Sequence, residues 1–148
     1  MLTVEIITPE RSTFSGQARR VSVPTEKGIL GIGSGHIPLL ATLKAGEVVV
    51  TPANGQPEYL AVAGGFLEVL DNTVRILADS ALHAKDLHEA EIKQAIERAE
   101  AAKASASSRH EFDVAVEQIE RNIARLKVAR KHSHGGRRAS LDLEENNR

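Results

Sequence analysis

The chain has 148 residues, 26% of them charged, yet its formal net charge is only −1. That balance excludes the bulk electrostatic attraction that carries a strongly basic or acidic protein to nucleic acid or a membrane surface. With no cysteine, disulfides and thiolate chemistry are excluded too, and no apolar run approaches the ~18 residues of a membrane-spanning helix.

Leu2, Val4 and Ile6 alternate with Thr3 and Glu5, the period of a half-buried strand. This pattern begins directly after Met1, which predicts no secretory signal or transit peptide. Further short runs at residues 13–14, 20–23 and 29–32 are separated by Gly16, Pro24 and Gly28. Residues 39–43 follow Pro38, and residues 47–51 follow Gly46. Asn54-Gly55, between Pro52 and Pro57, reads as a turn, and residues 58–63 pair back before Gly64-Gly65 breaks the line. Residues 66–70, the Asp71-Asn72 turn and residues 73–78 make a hairpin. Many short strands at close spacing predict an antiparallel β-sandwich or flattened barrel.

The pattern changes near residue 84. All five prolines lie at or before Pro57, and no glycine occurs between Gly65 and Gly135. A segment of some fifty residues without breakers predicts a helical hairpin. Asp86-Leu-His-Glu89 is a capping-box pattern that opens helix one, with inner face Ile92, Ala95, Ile96, Ala99, Ala102 and Ala106. Ser108-Arg-His-Glu111 opens helix two, whose apolar stripe is Phe112, Val116, Ile119, Ile123 and Leu126. Gly135-Gly136 ends it, leaving residues 135–148 as a flexible tail. The predicted domains are 1–84, a β-sandwich; 85–134, a helical hairpin; and 135–148, the tail. Seven basic residues and no acid lie between Arg121 and Arg138, a solvated helix face or a docking surface for an acidic partner.

Residues for catalysis are scarce. His132-Ser-His134 supplies only two metal ligands in a tail, and Gly31-Ile-Gly33-Ser-Gly35 lacks the Lys-Ser/Thr of a phosphate loop. No metal or cofactor is expected, and three phenylalanines and one tyrosine are too few for a nucleic-acid stacking platform. Arg137-Arg-Ala-Ser140 matches a basophilic kinase site, a short pattern that basic tails meet by chance.

Two longer stretches carry a resemblance. Gly28-Ile-Leu-Gly-Ile-Gly-Ser-Gly-His-Ile-Pro-Leu-Leu-Ala-Thr-Leu-Lys-Ala-Gly46 resembles the signature of the epsilon subunit of F-type ATP synthases. Val62-Ala-Gly-Gly-Phe-Leu-Glu-Val-Leu-Asp-Asn-Thr-Val-Arg-Ile-Leu-Ala-Asp79 resembles the same family's Gly-Gly-Phe-x-Glu-Val strand pair ending in Leu-Ala-Asp, and the likeness extends over about residues 1–131. It implies a flattened sandwich of about ten strands, then an α-helical hairpin. It also implies a non-catalytic rotor subunit of the central stalk, bound to subunit gamma and the c-ring. Such a subunit couples ion flow to ATP synthesis, and its hairpin can rise against the catalytic alpha/beta head and inhibit ATP hydrolysis.

On this resemblance the loop Gly35, His36, Ile37 and Pro38 meets the c-ring, unless His36 merely caps its own turn. Arg121, Arg125, Lys127 and Arg130 then meet acidic surface on the head. The family's regulatory ATP motif at the start of helix one is degraded here, with His88, Glu91 and Ile92 where it has aspartate, arginine and alanine. A carboxylate where phosphates should lie reverses the electrostatics, so no tight ATP binding is expected. The implied location is the cytoplasmic face of a bacterial plasma membrane, peripherally, with a plastid thylakoid as the alternative. Two competing readings are a free-standing β-sandwich adaptor with a basic hairpin for an acidic partner, and a small ligand-binding enzyme using the glycine loop.

Overall fold

The computed structural model describes the backbone of residues 1–145 and the side chains of residues 1–133. The chain divides into two compact units, one ending at His83 and the other beginning at Ala84. The first holds β1 (Leu2–Ile7), β2 (Ser12–Ala18), β3 (Arg20–Thr25), β4 (Gly28–Gly33), β5 (Leu39–Thr42), β6 (Gly46–Thr51), β7 (Glu58–Leu70) and β8 (Thr73–His83). Their order is β2-β1-β8-β7-β6-β3-β4, with β5 also on β7.

Eight strands form where the resemblance implies about ten, and the cause is local. Gly64-Gly65 reads as a break, yet β7 runs through it, and β8 continues past Ala78 to His83. Each long strand serves two layers. Residues 58–62 of β7 pair with β6, whereas residues 66–69 pair with β5. The ladder omits the position of Gly64 and Asp79, between Ala63↔Ser80 and Gly65↔Ala78, with no change of register. Gly64 and Gly65 take φ of +64° and +103°, and a Cβ at either would strike Asp79 Oδ2 or the Leu77 carbonyl oxygen. Only glycine fits both constraints.

One pairing departs from the antiparallel expectation: β1 lies parallel to β8, with Val4 opposite Val74 and Ile6 opposite Ile76. Parallel neighbours need a long connection, and here the rest of the unit supplies it. The alternation of β1 is as read, with Leu2, Val4 and Ile6 fully buried. They join Leu67, Val69, Val74 and Ile76 in one core with Val21, Val23, Ile32, Val48, Val50, Leu60 and Val62. Burial of each large side chain stabilises by about 1.5–3 kcal/mol, which is why the inner faces hold branched residues throughout. Asp71 and Asn72 both have positive φ, 47° and 57°, the two-residue turn whose twist matches its strands. His83 Nε2 donates to the Thr13 carbonyl at 3.1 Å and so ties the last residue of β8 to β2.

The second unit starts with a single 3-10 turn, Ala84–Asp86, and continues as α1 (Glu89–Ala104) and α2 (Arg109–Glu145), which pack on each other. The cap of α1 differs from the reading. Asp86 is taken up by the 3-10 turn, His88 is the cap residue, and its side chain makes no capping bond. The cap of α2 is as read at Ser108, whose Oγ accepts from the Glu111 N–H at 3.1 Å. The Glu111 carboxylate reaches one residue further back, accepting from the Ser107 N–H and hydroxyl.

The apolar stripe of α2 is also corrected. Phe112 and Ile123 are exposed; Val116, Ile119 and Leu126 are half-buried; the buried positions are Ala115, Asn122, Ala124, Val128 and Ala129. In α1, Ile92 and Ala99 are buried, while Ala102 is exposed. Periodicity picks out large side chains, but alanines are covered most completely where backbones approach closely. Finally, α2 does not stop at Gly135-Gly136 but continues to Glu145. A glycine costs a helix about 1 kcal/mol relative to alanine, and no proline follows to remove a backbone donor. The expected tail is therefore helical to Glu145, and residues 146–148 lie outside the described residues.

Candidate functional site

Residues 34–38 connect β4 to β5 as a loop held by its neighbours. The Gly35 N–H donates to Asn72 Oδ1 at 2.7 Å, pinning the loop to the β7–β8 turn. The Met1 amine donates to Ser34 Oγ at 2.9 Å. The His36 N–H donates to the Gly33 carbonyl at 3.3 Å. His36 Nδ1 lies 2.8 Å from the Ile37 carbonyl, which can only accept, so that nitrogen carries the proton. His36 thus makes a bond within its own turn. Beside it Ile37 is 73% exposed, an apolar side chain presented on an anchored loop.

The strands next to the loop carry a surface that the sequence reading missed. Leu40 on β5, Phe66 and Leu70 on β7, and Leu77 on β8 are 71%, 56%, 49% and 45% exposed. Register places Phe66 between Thr42 and Leu77, and Leu40 directly opposite Glu68. A ladder of charges crosses the same face: Arg75 Nε meets Glu5 Oε2 at 3.0 Å, and its Nη1 meets Glu68 Oε1 at 3.5 Å. This face alternates with the buried one of Leu67, Val69, Val74 and Ile76. The signal was present, because Phe66-Leu67, Val69-Leu70 and Ile76-Leu77 are apolar on both strand parities. A strand apolar on both faces fits a sheet covered on both sides. Large exposed apolar patches mark contact surfaces.

The basic residues of α2 divide into two groups. Arg121 and Arg125, one turn apart, are half-buried. Among the described residues the buried Arg121 Nε finds no hydrogen-bond partner, and burial first, then the like charge of Arg121, lowers the pKa of the Arg125 guanidinium. Lys127 is exposed, and Arg130 Nε meets Glu89 Oε1 at 2.6 Å. These four residues do not form one continuous exposed face. At the matching stretch of the regulatory nucleotide motif, Glu91 is exposed. Among the described residues no group of three or more metal-ligating side chains occurs, and the His134 side chain lies outside them. Among the described residues no helix is long and apolar enough to cross a membrane.

Comparisons with known proteins agree over most of the chain. The family model of the ATP synthase delta/epsilon chain β-sandwich domain matches residues 1–84. An ATP synthase epsilon chain of Dichelobacter nodosus is 50% identical over 97 residues, 66% of this chain and 68% of its own. One of Polaromonas naphthalenivorans is 39% identical over 126 residues, covering 85% of this chain and 90% of its own. Among solved structures, a chain in the Euglena gracilis mitochondrial ATP synthase (OSCP/F1/c-ring) superposes with a TM-score of 0.72 at 18% identity, over 83% of this chain and 78% of that one. A chain in the central stalk/c-ring structure of the Tetrahymena thermophila enzyme gives 0.58 at 17% identity, over 86% and 96%. At such identities the superpositions speak for the fold alone.

Proposed function

Since the chain belongs to the ATP synthase delta/epsilon family, we propose that it is a non-catalytic rotor subunit of the central stalk. In this role it couples ion flow through the c-ring to ATP synthesis. The observation that carries the reading is the second apolar face of the sandwich, Leu40, Phe66, Leu70 and Leu77, set on a well-buried core. A body that transmits torque must be stiff and must grip its neighbour over a broad apolar area. Subunit gamma is the partner proposed for that face. The anchored loop with Gly35, His36, Ile37 and Pro38 is proposed to meet the c-ring, through the exposed Ile37.

The helical unit, residues 85–134 in this scheme, is the regulatory part. When the helices rise toward the catalytic alpha/beta head, the basic residues of α2 meet acidic surface and hydrolysis is inhibited. Lys127 and Arg130 are the exposed pair suited to that contact, with Arg121 and Arg125 joining once uncovered. Glu91 in place of the nucleotide motif's arginine supports the absence of a tight ATP site. The location proposed is the cytoplasmic face of a bacterial plasma membrane, reached only through the complex. Co-expression with gamma tests the core of this reading. Co-purification of the two is expected, and a subunit that ignores gamma would end it.

A further inference from the structure

Side-chain contacts join α1 to α2 near both ends of the hairpin. Near the turn, Lys103 Nζ lies 5.5 Å from the centroid of the Phe112 ring. At the far end, Arg130 Nε donates to Glu89 Oε1 at 2.6 Å, across 41 residues of sequence. Glu89 is the first residue of α1, where an acid interacts favourably with the helix dipole. Glu91 serves that purpose equally, so the dipole accounts for an acid in the first turn but not for its aim at a guanidinium on the other helix. A charge-assisted contact at this distance is a specific one.

We propose that Glu89 is an internal substitute for the acidic partner surface, holding Arg130 in the closed hairpin and releasing it when the helices part. The inference rests on the reading that the basic residues of α2 engage an acidic partner, and it adds what regulates that engagement. Glu89 takes the Nε edge of the guanidinium and offsets its charge, so an outside carboxylate meets the full charge and that edge only when the helices part. Closure and docking therefore compete for the same group. Both side chains are about half exposed, 52% and 42%, so the clasp is a light one. An exposed pair of this kind biases an equilibrium roughly two- to fivefold. A bias of that size suits a switch, because an outside carboxylate can overcome it.

The test uses the full chain and the reconstituted enzyme. In the free subunit, Glu89→Gln is expected to speed amide hydrogen exchange about two- to fivefold at residues 92–95 and 127–131. Glu91→Gln, which removes the other first-turn acid, should leave both segments unchanged. The charge-swapped double variant Glu89→Arg/Arg130→Glu should restore slow exchange, which a merely local effect of Glu89 would not do. In the assembled enzyme, Glu89→Gln should strengthen inhibition of ATP hydrolysis by a similar factor. Exchange equal to that of Glu91→Gln would overturn the clasp. Faster exchange with unchanged inhibition would overturn the competition. If Arg130→Gln also leaves inhibition unchanged, the failure lies in the partner reading instead.

Discussion

The sandwich and the hairpin differ in what they bury. In the first unit Leu2, Ile6, Ile32, Leu60, Leu67 and Ile76 are completely covered, each a large branched side chain. In the second, the buried described residues are chiefly alanines, at 99, 115, 124 and 129, together with Ile92, Val128 and Asn122. Transfer free energy scales with apolar area, so the alanine interface contributes far less per position than the branched core. Close approach of backbones compensates only in part. One chain thus joins a firmly packed body to a lightly held one, the contrast that the roles proposed above for the two units require.

The comparison breaks most sharply at a core leucine. Leu67→Ala should cost about 2–5 kcal/mol, read as a lowered denaturant midpoint of the β unit. The equally large truncation Ile123→Ala, on an exposed α2 position, should cost less than about 1 kcal/mol. Equal losses at the two sites would remove the contrast. Smaller is the effect of Ser108→Ala, which deletes the cap of α2 and should cost about 0.5–2 kcal/mol. Hydrogen exchange at residues 109–112 should rise while that of the sandwich strands stays as it was.

Acid sharpens the same contrast more gently. Hydrogen bonds from the backbone and then the hydroxyl of Ser107 lower the pKa of Glu111 from its ordinary 4.5. A folded-state value below the unfolded one gives stability that is present above the unfolded pKa and lost as pH falls through the folded one. The first turn of α2 should therefore fray below about pH 4.5, with Glu111→Gln removing the dependence. The carboxylate is fully exposed, so the change should be small and confined to the start of α2. Least of all should be the response to nucleotide: millimolar ATP should leave the melting temperature of the isolated subunit unmoved. A marked upward shift would mean that a nucleotide site survives without the first-helix arginine.

How far the structure was legible varied with the physics involved. Alternation placed β1, because one parity faces the core and the other does not. The continuity of β7 was hidden, since Gly64-Gly65 is also the sequence of a turn; its role emerges only when Asp79 and the Leu77 carbonyl lie against it. Ser108 could be read as a cap because its partner is three residues away. Asp86 could not, because the 3-10 turn that absorbs it has no distinct sequence pattern. The basic run was visible, but its division between covered and exposed arginines depends on tertiary packing, as does the pairing of Arg130 with Glu89. The second apolar face was in plain view at Phe66-Leu67 and Ile76-Leu77, and reading each strand for a single buried face concealed it.

The most direct trial is quantitative binding of subunit gamma to the full chain and to the double variant Leu40→Asp/Phe66→Asp. Because both positions are exposed, the melting temperature should be unaltered while affinity for gamma falls by at least about tenfold. Undiminished binding by a folded variant would contradict the assignment of that face and, with it, the view of the sandwich as the rotor's grip.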